Sequence, residues 1–437
     1  MHDALPPRDT LVSLDRQHVW RPYTSSEDHA AVDPLVIASA QGVWLEDVNG
    51  NRYLDANGSW WVNTLGHAHP RLVRALADQA EQLAHCSMAG VTNPNAILLA
   101  RDLVEIAPDG LERVFFSDDG STAVEVAVKI AFQYWQQNGR PKRSRFVALS
   151  SAFHGDTLGA VALGGVEAFR SAFGPLLMDV VHGPEPSDEL GWQHAIDHIE
   201  DALRASPDEI AGVIVEPMIQ GAAGMRIWPA EQLARLRDIT NDVDTFLIAD
   251  EVFTGYARTA KMWACDHAGI VPDMMCVAKA FSGGMLPMAA TLATARVYDG
   301  FRGDKSRALM HGHSFCGNPL GAAVAREVIA VYRDEDVLGQ VQRKAPIIAD
   351  AFERLERLPG VLRTRSLGMV AAADLGDGGY GGRIGWRVYE EALGRGVYLR
   401  PLGDTVYITP PLTIPDADLQ TLLDVVHESV EATMDKR

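Results

Sequence analysis

The chain has 437 residues, 47% of them hydrophobic and 22% charged, an ordinary globular composition and more length than one core usually holds. A formal net charge of −19 excludes a nucleic-acid surface built on basic clusters. Four scattered cysteines (Cys86, Cys265, Cys276, Cys316) lack CxxC or zinc spacing, so neither a disulfide framework nor a metal site is expected. The start, MHDALPPRDTLVSLD, has no basic, apolar leader, and no stretch reaches the roughly 18 consecutive apolar residues of a membrane span. The expected compartment is the cytoplasm.

In chain order, GVWLEDVNGNRYLDANGSWW reads as short strands around a turn at Asn49-Gly50, a strong hairpin signal. HPRLVRALADQAEQLAH carries apolar residues at helical spacing. NPNAILLARDLVEIAP is a second amphipathic helix, with Asn93 as its cap and Pro94 in its first turn. Between Val114 and Pro319, the strand-like runs VFFS, FVALS, GVIVEP, FLIAD and MMCVAK alternate with helical stretches, as in a doubly wound α/β domain. After about Ala323 the pattern becomes one long helix, then the strand pieces GMVAAADLG, VYLRPLG and TVYITPP, then a last helix from Pro415. This tail reads as a smaller α+β domain that the N-terminal strands can join. The expected division is 1–70 with 326–437 in the small domain and 71–325 in the large one.

Two residues carry most of the chemistry. FLIAD stops at Asp250 and MMCVAK at Lys279, each at the end of a short apolar run suited to a strand buried on both faces. In open α/β sheets, ligands bind at the carboxyl ends of such strands. The intervening residues leave room for a helical crossover between neighbours. An amine that forms a Schiff base and a carboxylate that keeps a pyridine nitrogen protonated are what pyridoxal phosphate requires. The same two residues also suit a surface ion pair and a turn cap.

SDDGSTAVEVAVK places a Gly-Ser-Thr turn (Gly120, Ser121, Thr122) at a helix start, either a phosphate cup or a plain N-cap. It matches neither the P-loop nor the GxGxxG fingerprint, which disfavours ATP and NAD. In FHGDT, Phe153 is placed to stack on a planar ring or to fill the core. Glu216, Pro217, Gln220 and Gly221 read as a binding rim or a buried polar loop. HGHSFCGNP is a polar turn before a helix, and Arg400 suits a substrate carboxylate or an exposed strand.

DEVFTGYARTA, AKAFSGG, DDGSTAVEVAVK, FHGDT and HGHSFCGNP together resemble the class III aminotransferases, pyridoxal-phosphate enzymes of the type I fold, over nearly the whole chain. The resemblance implies a large, doubly wound, mostly parallel sheet domain and a smaller α+β domain built from both termini. It also implies a homodimer with active sites at the subunit interface, and pyridoxal 5′-phosphate as cofactor. By motif, Lys279 becomes the Schiff-base lysine and Asp250 the pyridinium partner. Gly120 and Ser121 become phosphate ligands, joined by Ser314 from the neighbouring subunit, and Phe153 the ring stacker. HVWRPYTS, NGSWWVNTLGHAHP and VYLRPLG are similar to the branch that aminates 8-amino-7-oxononanoate in biotin biosynthesis. That likeness assigns Tyr23, Trp60, Gly312 and Arg400 to the substrate pocket. Phe153, where the branch using S-adenosylmethionine shows Tyr, and Gly312-His313-Ser314, where it shows Gly-Pro-Thr, lean towards lysine as amino donor; Trp60-Trp61 leans the other way. The alternatives are an ω-amine:pyruvate or ornithine-type enzyme of the same class, and a non-catalytic scaffold that the Asp250/Lys279 pair disfavours.

Overall fold

The computed structural model describes residues 5–186 and 191–436; residues 1–4 of the segment read for a leader lie outside it. The Asn49-Gly50 turn joins β2 (Trp44–Asp47) to β3 (Arg52–Asp55), with β1 (Ile37–Gln41) antiparallel to β2. The central strands are β4 (Leu111–Ser117), β5 (Arg145–Ala148), β6 (Val180–His182) and β7 (Ile210–Val215). A small ribbon follows, β8 (Ile219–Gln220) with β9 (Arg226–Ile227), and then β10 (Phe246–Asp250), β11 (Met274–Val277) and β12 (Ala289–Thr294). The C-terminal strands are β13 (Arg363–Leu367), β14 (Val370–Asp374), β15 (Val397–Tyr398) and β16 (Thr405–Ile408).

The main sheet has seven strands in the order β4-β12-β11-β10-β7-β5-β6. All run parallel except β12, which is antiparallel to both its neighbours. Strands β7, β10 and β11 are buried at every position, as expected of strands covered by helices on both faces. The small sheet joins the two ends of the chain, because β15 lies parallel to β3 with Val397 opposite Leu54.

Two expectations need correction. Strands β10 and β11 are parallel neighbours, yet the connection holds only a 3-10 turn, Ala264–His267, and no α-helix. Turns held by the buried Glu251 fill that span, its carboxylate accepting from Thr254 Oγ1 at 2.7 Å and the Cys265 amide at 2.8 Å. The long C-terminal helix is in fact two, Pro319–Asp334 and Val337–Leu355. Asp336 breaks it by adopting φ 48° and capping the second helix through the Gly339 amide.

Candidate active site

Loops leaving the carboxyl ends of β4, β5, β7, β10 and β11 converge on a cavity of about 730 Å3, whose lining includes Gly120, Ser121, Phe153, Glu216, Asp250 and Lys279. Parallel strands bring this about by themselves, since all their carboxyl ends lie on one edge of the sheet.

Asp250 is the last residue of β10 and 4% exposed. Its Oδ2 lies 2.7 Å from His154 Nδ1, and its Oδ1 accepts the Val252 amide at 3.1 Å. A buried carboxylate held on both oxygens is fixed in direction as well as satisfied. His154 is itself 3% exposed, and its Nε2 is buried with no partner among the described residues. Lys279 follows β11 in a left-handed backbone conformation, φ 46°. It is partly buried and lines the cavity. Its Nζ stands 5.1 Å from the centre of the Trp61 ring. Burial pulls the amine below the ordinary lysine pKa, and the charges of Asp250 and Glu216 partly offset this.

Glu216 lines the cavity from a buried position, its carboxylate accepting from the Phe153 and Gly221 amides, both at 2.9 Å. Burial pushes it up to about 7, a rise that His154 opposes and Asp250 reinforces. The turn at 118–122 begins the helix Gly120–Gln137, where Asp119 caps the Thr122 amide at 2.9 Å. A Cβ on Gly120 would stand 2.7 Å from Val252 Cγ1, so only glycine lets the helix start so close to Asp250's loop. Ser121 Oγ accepts the Asp156 amide at 2.9 Å, tying the helix start to the Phe153 loop.

Tyr23, Trp60 and Arg400 form an arm beside this cavity. The Tyr23 hydroxyl donates to Asp156, which lines it. Tyr23 meets Trp60 edge-on at 5.7 Å, and the Arg400 guanidinium lies 5.1 Å over the Trp60 ring. One guanidinium nitrogen of Arg400 is buried without a partner among the described residues. Phe153 joins through Phe169, 5.5 Å from it and 5.4 Å from Tyr23. Gly312 and Ser314 are exposed and are not among the lining residues; their loop sits by His311, 2.9 Å from Lys129 Nζ. No sequence pattern gives His154, Asp156 or Trp61 a role. The first two lie inside the FHGDT motif, but their partners come from remote strands and from Tyr23.

The class III aminotransferase family profile matches residues 24–430, and the chain belongs to that family. It is a pyridoxal-phosphate-dependent aminotransferase of the type I fold. Among relatives, an adenosylmethionine-8-amino-7-oxononanoate aminotransferase of Geobacter sulfurreducens is 39% identical, covering 96% of this chain and 97% of its own. A solved enzyme of the same description from Methanocaldococcus jannaschii superposes with a TM-score of 0.94 at 33% identity, over 98% and 99% of the two chains. An omega transaminase from Pseudomonas jessenii in complex with PMP gives 0.92 at 26%, covering 98% of each chain.

The cofactor's needs agree with the residues present. A carboxylate aimed by His154, an amine kept from full protonation by burial, and a helix start where a side chain at Gly120 would collide all line one cavity. Gly120 and Ser121 head that helix, ahead of the capped Thr122 amide, where backbone amides need partners from outside the helix, as a phosphate supplies.

Proposed function

We propose that this aminotransferase converts 8-amino-7-oxononanoate to 7,8-diaminononanoate in biotin biosynthesis, with S-adenosylmethionine or lysine as donor. The observation that carries the reading is the arm of Tyr23, Trp60 and Arg400: an aromatic wall ending in a guanidinium with an unpaired buried nitrogen. That combination suits an aliphatic chain with a distal carboxylate. The descriptions of the relatives support it.

In this reading the bound cofactor supplies an electron sink for the charge left when a proton leaves the donor carbon. Lys279 would hold it covalently and would carry that proton; its depressed pKa leaves it better able to accept one at neutral pH. Asp250, aimed by His154, keeps a proton on the ring nitrogen. Phe153 would stack on the ring, and Gly120 and Ser121 would hold the phosphate together with Ser314 of the partner subunit. The exposure of the Gly312–Ser314 loop supports that last assignment, and with it a homodimer. Arg400 and Trp60 orient the acceptor, and Gly312 borders its entrance. The domains are taken as 1–70 with 326–437 and as 71–325, in accord with the pairing of β15 with β3. The compartment is taken as cytoplasmic; no helix among the described residues is long and apolar enough to cross a membrane.

Two assays test the proposal. The purified yellow enzyme, mixed separately with S-adenosylmethionine and lysine, is expected to lose its visible band with one of them. The amine-loaded product is then expected to aminate 8-amino-7-oxononanoate. Good activity on pyruvate with none on the oxononanoate would replace this reading with that of an ω-amine enzyme, the class of the Pseudomonas jessenii structure.

A further inference from the structure

Four residues in succession, Gly58, Ser59, Trp60 and Trp61, have left-handed backbones, with φ of 54°, 47°, 66° and 74°. Side-chain-bearing residues visit this region singly, as a rule, because Cβ crowds the following carbonyl. Three in a row persist only where the surroundings over-determine them. The turn closes on itself, the Trp61 amide donating to Asn57 O at 2.9 Å and the Asn63 amide to Gly58 O at 3.0 Å.

Its surroundings centre on Asp55, which is completely buried. One carboxylate oxygen accepts from Ser59 Oγ at 2.9 Å and lies 3.0 Å from His67 Nε2; the other accepts the Asn57 amide at 3.1 Å. Asn63 Nδ2 donates to His67 Nδ1 at 2.9 Å, which leaves Nε2 as the nitrogen that donates to Asp55. All these contacts bind the carboxylate to the turn or to the segment after it. We infer that Asp55 and His67 are a positioning pair that holds the left-handed turn and thereby sets Trp60 against Arg400. They act through Trp60 and touch neither substrate nor cofactor.

The two indoles depend on this pair unequally. Trp61 has tethers of its own, its Nε1 donating to the Tyr407 hydroxyl at 3.1 Å and its ring packed 4.5 Å from Phe253. Trp60 is 42% exposed, and its ring meets Tyr23 and Arg400. Trp60 itself lines a second cavity of about 390 Å3, together with Leu35, Ile37, Ser59, His67, Tyr398 and Arg400 among others. With the clamp loosened, Trp60 has room to swing there and the acceptor's wall is lost, while Trp61 stays over Lys279. This consequence for catalysis rests on the acceptor proposed above; the clamp itself does not.

The test compares His67→Ala with His67→Gln, whose amide can still donate to Asp55, in holoenzyme. Expected for His67→Ala is about a tenfold rise in KM for 8-amino-7-oxononanoate, with kcat within about threefold and the visible cofactor band unchanged. His67→Gln is expected to restore most of the KM. An unchanged KM, or equal losses in KM and kcat that glutamine does not repair, overturns the inference. Near-ultraviolet circular dichroism of the tryptophans, taken without substrate, separates the two claims. It is expected to change in His67→Ala whichever keto acid the enzyme uses, and an unaltered spectrum sinks the clamp even if the acceptor is right.

Discussion

Lys279 has a left-handed backbone at the end of a buried strand, a conformation that costs on the order of 1–3 kcal/mol and is kept where the surroundings enforce it. Burial depresses its amine, the charges of Asp250 and Glu216 offsetting part of the shift. Lys279→Ala is expected to remove the visible band and to lower turnover by at least the roughly 10²–10⁴-fold that a positioned base contributes; a variant that stays yellow contradicts the assignment. The proton carrier must be neutral to act, so the rate on amine-loaded enzyme rises with pH up to the pKa of Lys279. That limb is expected clearly below the ordinary lysine value of 10.5, read from a pH profile of kcat/KM for the acceptor. A limb at 10.5 argues that another group carries the proton. Asp250→Asn keeps the size of the side chain but not its charge, so cofactor is expected to bind while turnover falls roughly 10²-fold or more, beyond the loss of one neutral hydrogen bond. Near-normal turnover counts against the pyridinium role.

At the scale of elements, Asn93 shows what a sequence announces and what it withholds. An Asn-Pro pair before an apolar period predicts a helix start, and Asn93 Oδ1 does accept the Ala96 amide at 2.9 Å. Its Nδ2 also donates to Gly317 O at 2.9 Å, fastening the helix to the loop that carries Ser314. Asn93→Ala is expected to cost about 1–2 kcal/mol in denaturant unfolding, whereas Asn93→Asp keeps the cap and loses only the loop bond. Equal losses in both variants show that the cap contributes nothing. The hairpin at Asn49-Gly50 and the buried runs ending at Asp250 and Lys279 were legible for the same reason, since turn chemistry and apolar period are local. Strand β12 was not, because an antiparallel strand between β4 and β11 is specified by pairing across the sheet, Ala289 opposite Ser117. The contact of His154 with Asp250 spans 96 residues, and no spacing rule encodes it. The turn at Ser59–Trp61 runs against local preference altogether, so its conformation appears only once Asp55 and His67 are in place.

For the whole molecule, buried and paired carboxyls set opposing limits on stability against pH. Glu216 and Glu251 are buried, and each is pushed up to about 7, so the folded chain holds their protons more tightly than the unfolded chain does. Their contribution is complete below the unfolded glutamate value of 4.5 and is lost as pH rises through 7, on the order of 3 kcal/mol for each. Asp374 is shifted the other way: despite burial, it is held below the usual carboxylate value of 3.8 by Arg365 first and by Arg363 and Thr405. Its contribution is present above 3.8 and is lost as pH falls into the acid range. Lys279, depressed from 10.5, adds stability only as pH rises from its folded pKa towards that value. The cofactor-stripped protein is therefore expected to melt highest at about pH 4–5 and to lose several degrees by about pH 8, a 437-residue chain shifting less per kcal/mol than a small domain does. Thermal unfolding followed by circular dichroism across pH 4–9 checks this. A melting temperature that stays flat or climbs between about pH 6 and 8 means that the two glutamates are ionised in the fold without penalty, and that Glu216 faces more water than its hydrogen bonds to Phe153 and Gly221 imply.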